Sequence, residues 1–450
     1  MADLSNRNQE LLRAVQDALQ ANDLLRVRDI MRPLHPSEVA DLFEALPPET
    51  RNELWVHIAK DSEGEVLSHA STAVRTGLLE HMAPAEVAAA TEGLDTDDVA
   101  DILQDLPERV AGEVLRSMDE QNRERVAAAL VYEEDTAGGL MNVDAIAVRS
   151  DVDIDVVLRY LRLLPELPDN TDRLMVVDRA NVYLGWLPLS DLVTADPESN
   201  VGEIMLTGES GIRAQLDARE VAVLFEQRDL LSAPVIDDDG KLLGRITVDD
   251  VVDVIREENE RSLMSAAGLD EEYDIFAPIW STTRRRTLWL AVNLATAFLA
   301  AWVIGLFEAT IEQLVALAVL MPVVASMGGI AGTQTLTIMI RGLALGHVGA
   351  ANARSVLYRE ITVGLLNGIL WAIVVAAVAA AWFGNPELGA VIGCAMVFNL
   401  LTAAFAGAAI PLALKRLDID PALAGGVLLT TITDVVGFFV FLGLASIYLV

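Results

Sequence analysis

The chain runs to 450 residues with 66 Asp and Glu against 32 Lys and Arg, a formal net charge of -34, yet 53% of its residues are hydrophobic and its mean hydropathy is +0.39. Position reconciles these facts: residues 1–286 carry 27 basic and 59 acidic side chains, whereas residues 287–450 carry 5 and 7, so an acidic soluble part precedes a nearly uncharged apolar part. The missing basic face argues against a nucleic-acid partner, the single Cys394 rules out a disulfide framework, and the polar opening MADLSNRNQE lacks the layout of a secretory signal, so that the soluble part is expected in the cytoplasm.

Residues 1–132 read as short helices rich in Ala, Leu, Glu and Asp. EVADLFEALPPE at 38–49 is echoed by DVADILQDLPER at 98–109, each with apolar residues at helical spacing and then a helix-breaking Pro47 or Pro107. The repetition predicts a small helical-repeat domain. Its polar face carries Asp95, Asp97, Asp98 and Asp101. Asp97 and Asp101 are four apart and share a helix face, so they repel unless a cation neutralises them. A solvated acidic surface is the other reading of the same run.

From about residue 137 to 258, β-branched runs alternate with amphipathic helices. LMVVDRANVYLGWLPLSDLVT at 174–194 matches SAPVIDDDGKLLGRITVDDVVD at 232–253, each a buried strand, an acidic turn, a second strand and a helix start. This segment resembles a tandem pair of CBS domains. Gly244, Thr247 and Asp250 match the G-x-x-T-x-x-D signature, and the resemblance implies that Thr247 and Asp250 hold the phosphate and ribose of ATP or another adenosine nucleotide; the first copy has Pro188 in place of the Thr. A hydroxyl at a helix amino terminus suits phosphate and a carboxylate suits ribose hydroxyls. Residues 251–272 then read as a helix leading towards the apolar part, either a transmitter of cytoplasmic state or a passive linker.

Five apolar stretches at about 287–307, 314–340, 360–383, 388–414 and 422–449 are each long enough to span a bilayer. Arg284, Arg285, Arg286, Arg341, Arg354, Arg359, Lys415 and Arg416 flank alternate ends, whereas the other loops hold only Glu308, Glu312 and Glu387. The positive ends predict a cytoplasmic amino terminus and an extracytoplasmic carboxyl terminus. Within the spans, Asp434 stands in LLTTITDVVGFFVF with no Lys or Arg near it. A carboxylate at that depth costs at least about 2.5–3.5 kcal/mol and marks a cavity or ion path, unless it is protonated and bonded to a neighbouring helix. Thr430, Thr431 and Thr433 beside it offer oxygens to a hydrated ion, with Gly425 and Gly426 a turn before. The second span holds the GxxxG pair Gly328 and Gly332, with Gly329 between and Gln334 beyond, which reads equally as helix packing. Asn293, Asn367 and Asn399 are weaker signals, the first two read as interhelical glue.

The order of these parts resembles the MgtE family of magnesium channels, on four anchors: YEEDTAGGLM at 132–141, the glycines and Gln334 of the second span, DPALAGG at 420–426 and T-D-V-x-G around Asp434. The resulting fold class is a multidomain α and α/β membrane protein: a helical-repeat domain over 1–132, CBS domains over 133–200 and 201–256, a connecting, plug-like helix and linker over 257–283, and a five-helix transmembrane domain over 284–450. The resemblance implies a homodimer in the cell (inner) membrane, in contact with lipid, that takes up Mg²⁺ and is not an enzyme. It implies a pore lined by the second and fifth spans, with Asp434, Asn399, Gly328, Gly329, Gln334 and Thr430 around the ion. It also implies regulatory Mg²⁺ on Glu65, Asp97, Asp101, Asp217, Asp237, Asp250, Asp253, Glu258 and Asp420. The chain departs from the family at Ile330, often Asn, at Arg219, often a carboxylate, and at Arg261 and Ser262, often acidic. Oxygen-only ligands suit Mg²⁺, a small ion that keeps its waters. Cytoplasmic Mg²⁺ bridging the acidic faces would hold the protein closed against self-repulsion. Uptake of another divalent cation (Co²⁺ or Mn²⁺) and a nucleotide-sensing receptor anchored by its spans stay open as alternatives.

Overall fold

The computed structural model describes residues 2–266, 269, 274–349, 351–417 and 419–450. The chain divides into two compact units, Met1–Glu260 with Glu272–Ala277, and Arg261–Glu271 with Pro278–Val450.

The first unit opens with short helices from Ala2–Gln20 to Glu120–Ala129. The sequence repeat is a repeat of helix starts. Pro36, Pro48 and Pro84 occupy first helical turns, where a missing N–H costs nothing. Glu38 and Glu86 reach back to the backbone N–H of His35 and Ala83. Pro47 and Pro107, which break one helix, are the caps that begin the next. The apolar residues set by this punctuation meet in one core containing Phe43, Leu46, Leu54, Leu67, Leu78, Ile102 and Leu103.

Two three-stranded sheets follow, β1 (Ala147–Arg149), β2 (Arg173–Val177) and β3 (Tyr183–Pro188), then β4 (Ile212–Arg213), β5 (Ser232–Ile236) and β6 (Leu242–Thr247). Each has a parallel outer pair and an antiparallel hairpin in the order of the chain. The hairpins match in register, Arg173 facing Pro188 and Ser232 facing Thr247, with an irregularity at Val176/Val177 and at Val235/Ile236. Pro188 and Thr247 are therefore equivalent positions. The motif at 132–141 belongs by packing to the second sheet: Ala137 and Met141 lie in its core, and the Ala137 and Gly138 N–H groups donate to Leu216 and Ala214. A side chain at Gly138 would overlap the Tyr132 ring, which accounts for the glycine. Helix Val248–Ala266 leaves β6 directly.

In the second unit, five helices are long and apolar enough to cross a membrane: Ile279–Gly305, Ala316–Ala344, Ala353–Phe383, Pro386–Arg416 and Pro421–Tyr448. At 27–31 residues they are about 40–46 Å long, more than the ~30 Å hydrocarbon core. The helices run past the apolar stretches and take in Arg284–Arg286, Arg354, Arg359, Lys415 and Arg416, because a helix end in polar surroundings has no reason to stop where hydropathy does. The fourth span is the hub, 61% of its apolar window buried against 11–33% for the others. Glycines allow its close approaches: a Cβ on Gly389 would lie 2.5 Å from the Ala376 carbonyl oxygen, and one on Gly407 2.7 Å from that of Gly332. Asn293 and Asn367, expected as interhelical glue, are instead exposed. They sit on faces of the first and third spans that are left open among the described residues.

Candidate functional site

In the membrane unit the second and fifth spans enclose an open groove of about 530 Å³. The fifth contributes Asp434 and, one turn away, Thr430; the second contributes Ser326, Gly329, Ile330, Thr333 and Gln334. Asp434 is the one charged side chain in this lining, half-buried in a stretch otherwise free of charge. The Thr430 and Thr333 hydroxyls donate to Gly426 and Gly329 carbonyls, at 3.0 and 2.8 Å. Their protons are thus engaged within their own helices, and their oxygen lone pairs are left to accept. The groove presents a carboxylate, three hydroxyl oxygens and an amide, a set suited to the donor waters around a hydrated cation. Ile330 is 57% exposed, so its apolar side chain forms part of the groove wall.

Two residues expected around the ion lie behind that wall. Asn399 is fully buried and donates from Nδ2 to the Val324 carbonyl at 2.7 Å. Gly328 and Gly437 receive it: a Cβ on Gly328 would fall 2.4 Å from Asn399 Nδ2, and one on Gly437 3.0 Å from it. Asn399 therefore ties the second, fourth and fifth spans together, and Gly328 is the space it occupies. Gly332 does the same for Leu429. Of the GxxxG segment, Gly329 faces the groove while Gly328 and Gly332 serve packing.

The first unit concentrates its unusual electrostatics where helix Thr96–Gln104 meets the start of helix Val248–Ala266. Asp97 is buried with its Oδ1 unpartnered. Burial first, and then the carboxylates of Asp250, Asp98 and Asp95, push its pKa well above the ordinary value. Burial and Asp95 raise Asp98 to about 6, and burial and Glu134 raise Asp101. On the facing helix, burial and Asp249 raise Asp250 to about 7, and partial desolvation and Asp253 raise Glu257, whose side chain is exposed at the surface. Arg75 moderates Asp98 and Asp101, but it is committed to Asp105. Carboxyls in this state hold protons or require a cation. Among the described residues no three His, Cys, Asp or Glu side chains converge tightly enough to hold a bare metal ion. An ion that keeps its own waters, as Mg²⁺ does, fits such a loose set. Asp97, Asp101, Asp250 and Asp253 are the expected residues found here. Asp98 and Glu257 belong with them; the helical spacing Asp250, Asp253, Glu257 was the signal available for the latter.

The other expected regulatory acids are dispersed. Glu65 is exposed on helix Glu63–His69. Asp217 caps helix Ala218–Arg228, Asp420 caps the fifth span, and Asp237 accepts from the N–H groups of Asp239 and Lys241 to shape its turn. Glu258 pairs with Arg219 at 2.7 Å. The arginine that departs from the family thus supplies a fixed cation to this acid.

The nucleotide signature closes on itself. Thr247 donates to Asp250 from both its N–H, at 3.0 Å, and its hydroxyl, at 2.9 Å, and the hydroxyl also reaches Asp249. Gly244 permits the Asn142 backbone to approach, since a Cβ there would lie 2.5 Å from the Asn142 oxygen. A 170 Å³ pocket opens beside this hairpin, walled by Ile212, Leu224, Leu230, Ala233 and Pro234 with Glu209 and Arg228 among its polar residues.

Five long apolar helices with a carboxylate-bearing groove, preceded by an acidic helical domain and paired β-modules, define a multi-pass membrane transport protein. The comparisons with known proteins agree. A family profile described as a divalent cation transporter (MgtE) matches residues 321–444, that of the MgtE intracellular N domain 34–135, and that of the CBS domain 201–257. The magnesium transporter MgtE of Thermus thermophilus is 34% identical over 335 residues, 74% of either chain, and that of Bacillus subtilis 30% identical over 337 residues, again 74% of either. A crystal structure of the cytosolic domain of the Mg²⁺ channel MgtE in complex with ATP is similar at 34% identity and TM-score 0.50, over 54% of this chain and 99% of that one. The chain belongs to the MgtE family.

Proposed function

We propose that the protein takes up Mg²⁺ along the groove between its second and fifth spans and is closed when cytoplasmic Mg²⁺ binds its acidic helices. The observation that carries the first part is Asp434, the one charged group of a groove otherwise lined by small, hydroxyl, amide and aliphatic residues. A single carboxylate attracts a dication, and hydroxyl and amide oxygens accept from its waters without stripping them. A groove open along one side needs a second wall. A second copy related by a two-fold axis would bring a second Asp434 to the same ion, which is the homodimer reading. The arginine- and lysine-bearing ends of the spans support a cytoplasmic amino terminus. Relatives named as magnesium transporters support Mg²⁺ as the cargo.

Closure rests on the facing carboxyls of Asp97, Asp98, Asp101, Asp250 and Asp253. Without cations their repulsion opposes the apposition of the two helices. A hydrated Mg²⁺ between them removes that repulsion, and it acts as a switch to the degree that it binds the apposed state more tightly than the separated one. The CBS modules and the 170 Å³ pocket support binding of ATP or a related nucleotide. Thr247 and Asp250 would take part only after releasing their mutual hydrogen bonds, so nucleotide and the acidic cluster compete for Asp250.

The test is Mg²⁺ flux into proteoliposomes for wild type and Asp434→Asn, with Mg²⁺ varied on the cytoplasmic face. The expected result is flux that is lost in the variant and falls in the wild type as cytoplasmic Mg²⁺ rises. Undiminished flux in the variant removes Asp434 from the path. Flux insensitive to cytoplasmic Mg²⁺ removes the switch.

A further inference from the structure

Helix Val248–Ala266 begins against the acidic face of helix Thr96–Gln104, as the mutual influence of Asp250 and Asp97 requires. Beyond this helix the chain returns to the same helical domain. Asp274 lies four residues before Pro278, the cap of the first span, and accepts two hydrogen bonds from Arg51, at 2.7 Å from Nη1 and 2.9 Å from Nη2. Arg51 is 3% exposed, and its Nε donates to the Phe43 carbonyl at 2.8 Å, so the guanidinium is oriented from within its own domain. The Phe276 ring lies 5.9 Å from the Arg51 guanidinium carbon, and Asp274 also accepts from the Phe276 N–H at 2.8 Å. Burial by itself would raise the Asp274 pKa, but these hydrogen bonds outweigh it and hold the carboxyl below its ordinary value. A forked Arg–carboxylate pair is strong and directional, and removing either partner of a buried pair strands the other charge.

We infer that Arg51 and Asp274 form a latch by which the helical domain grips the chain just ahead of the first membrane span and so sets the Mg²⁺ concentration at which the acidic faces engage. The domain holds the connecting segment at two points of opposite character. At Asp97 and Asp250 like charges face each other, and at Arg51 and Asp274 opposite charges are locked. The second contact holds the first at close range, which raises the effective concentration of one carboxylate set for the other. A dication then bridges helices already in place, without having to gather them. Loss of the latch returns that ordering cost to the ion and weakens its apparent binding. The inference deepens the closure proposal and depends on it only for the consequence in flux.

The experiment uses the full-length protein, wild type and the variants Arg51→Met, Asp274→Asn and the pair, none of which touches the groove. Two readings are taken against Mg²⁺: protection of the 261–278 segment from limited proteolysis in detergent, and inhibition of flux in proteoliposomes. Each single variant is expected to move both midpoints to higher Mg²⁺ by about tenfold, with the double variant moving them no further than the larger single, as for two residues acting as one unit. Flux at low Mg²⁺ is expected to be unchanged. Midpoints that stay put, or shifts that simply add in the double variant, overturn the latch. Separated protection midpoints with wild-type flux indifferent to Mg²⁺ uphold the latch and remove the closure proposal.

Discussion

The groove of the membrane unit keeps a lone carboxylate, Asp434, in company with hydroxyls and an amide, whereas the first unit gathers Asp97, Asp98, Asp101, Asp250 and Glu257 near one another. In the first arrangement the surroundings supply acceptors and no competing cation, so a passing dication is attracted but meets few ligands that would strip its waters. In the second, burial is the first burden on the carboxyls and their like neighbours add to it, so that a cation among them would relieve several at once. Under the proposed function the same chemical group serves transit in one unit and detection in the other, and the two settings differ in burial and in the number of like neighbours.

The comparison is broken most directly at Asp434. Asp434→Asn is expected to lower Mg²⁺ flux by about tenfold to a hundredfold, on the scale of a lost charge-assisted interaction of ~1.5–3 kcal/mol with the ion's waters, with the cytoplasmic response to Mg²⁺ measured by proteolysis left intact. Loss of both responses would mean that Asp434 also supports the cytoplasmic contact.

Next in size is the packing beneath the groove. Gly328→Ala drives a methyl group into Asn399 and is expected to destabilise the membrane unit by ~1–3 kcal/mol, read as a lower melting temperature in detergent. Asn399→Ala in the same chain is expected to return part of that loss, since it removes the atoms that clash. Additive losses would mean that Asn399 does not occupy the space left by Gly328.

On the soluble side, Asp97→Asn is expected to weaken the apparent Mg²⁺ affinity of closure by about tenfold while raising stability in the absence of Mg²⁺, because it removes a buried, repelled carboxyl. Protection from proteolysis against Mg²⁺ and a thermal melt without it give the two readings. A melting temperature that falls without Mg²⁺ would show that Asp97 is stabilised by a partner.

The pH dependence sharpens the same point. Asp98 and Asp250 are raised from 3.8 to about 6 and about 7. Each therefore binds its proton more tightly in the folded arrangement. Their contribution to apposition is complete below about pH 4 and is lost as pH rises through 6 to 7. Without Mg²⁺, protection is expected to increase from about pH 8 to about pH 5.5, and Mg²⁺ affinity to fall over the same range as protons displace the ion. Protection independent of pH would detach these two carboxyls from the contact.

The smallest effect is expected at Arg219→Ala. Its ion pair with Glu258 is largely exposed, so stability should change by less than ~1 kcal/mol. Any gain in cytoplasmic Mg²⁺ affinity would mark Glu258 as a released ligand.

What the chain alone determined is what repeats locally or depends on composition. Hydropathy delimits five spans because a bilayer-crossing helix must be apolar over its length. Proline and acid at fixed offsets delimit the helical repeat, and the doubled strand–turn–strand pattern with the second-span and Asp434 motifs marks the family. The tertiary structure decided which of the marked residues meet. Asn399 and Gln334 are both amides within spans, yet one is sealed between helices and the other lines the groove; neither periodicity nor hydropathy distinguishes them, because the difference lies in which neighbouring helix covers which face. Asp217, Asp237 and Asp420 read like Asp97 and Asp250, but a carboxylate at a turn or helix start is captured by the nearest backbone N–H. Arg51 and Asp274, 223 residues apart, carry no local signal. A contact over that separation exists only once the domain between them has folded and brought both ends to one place.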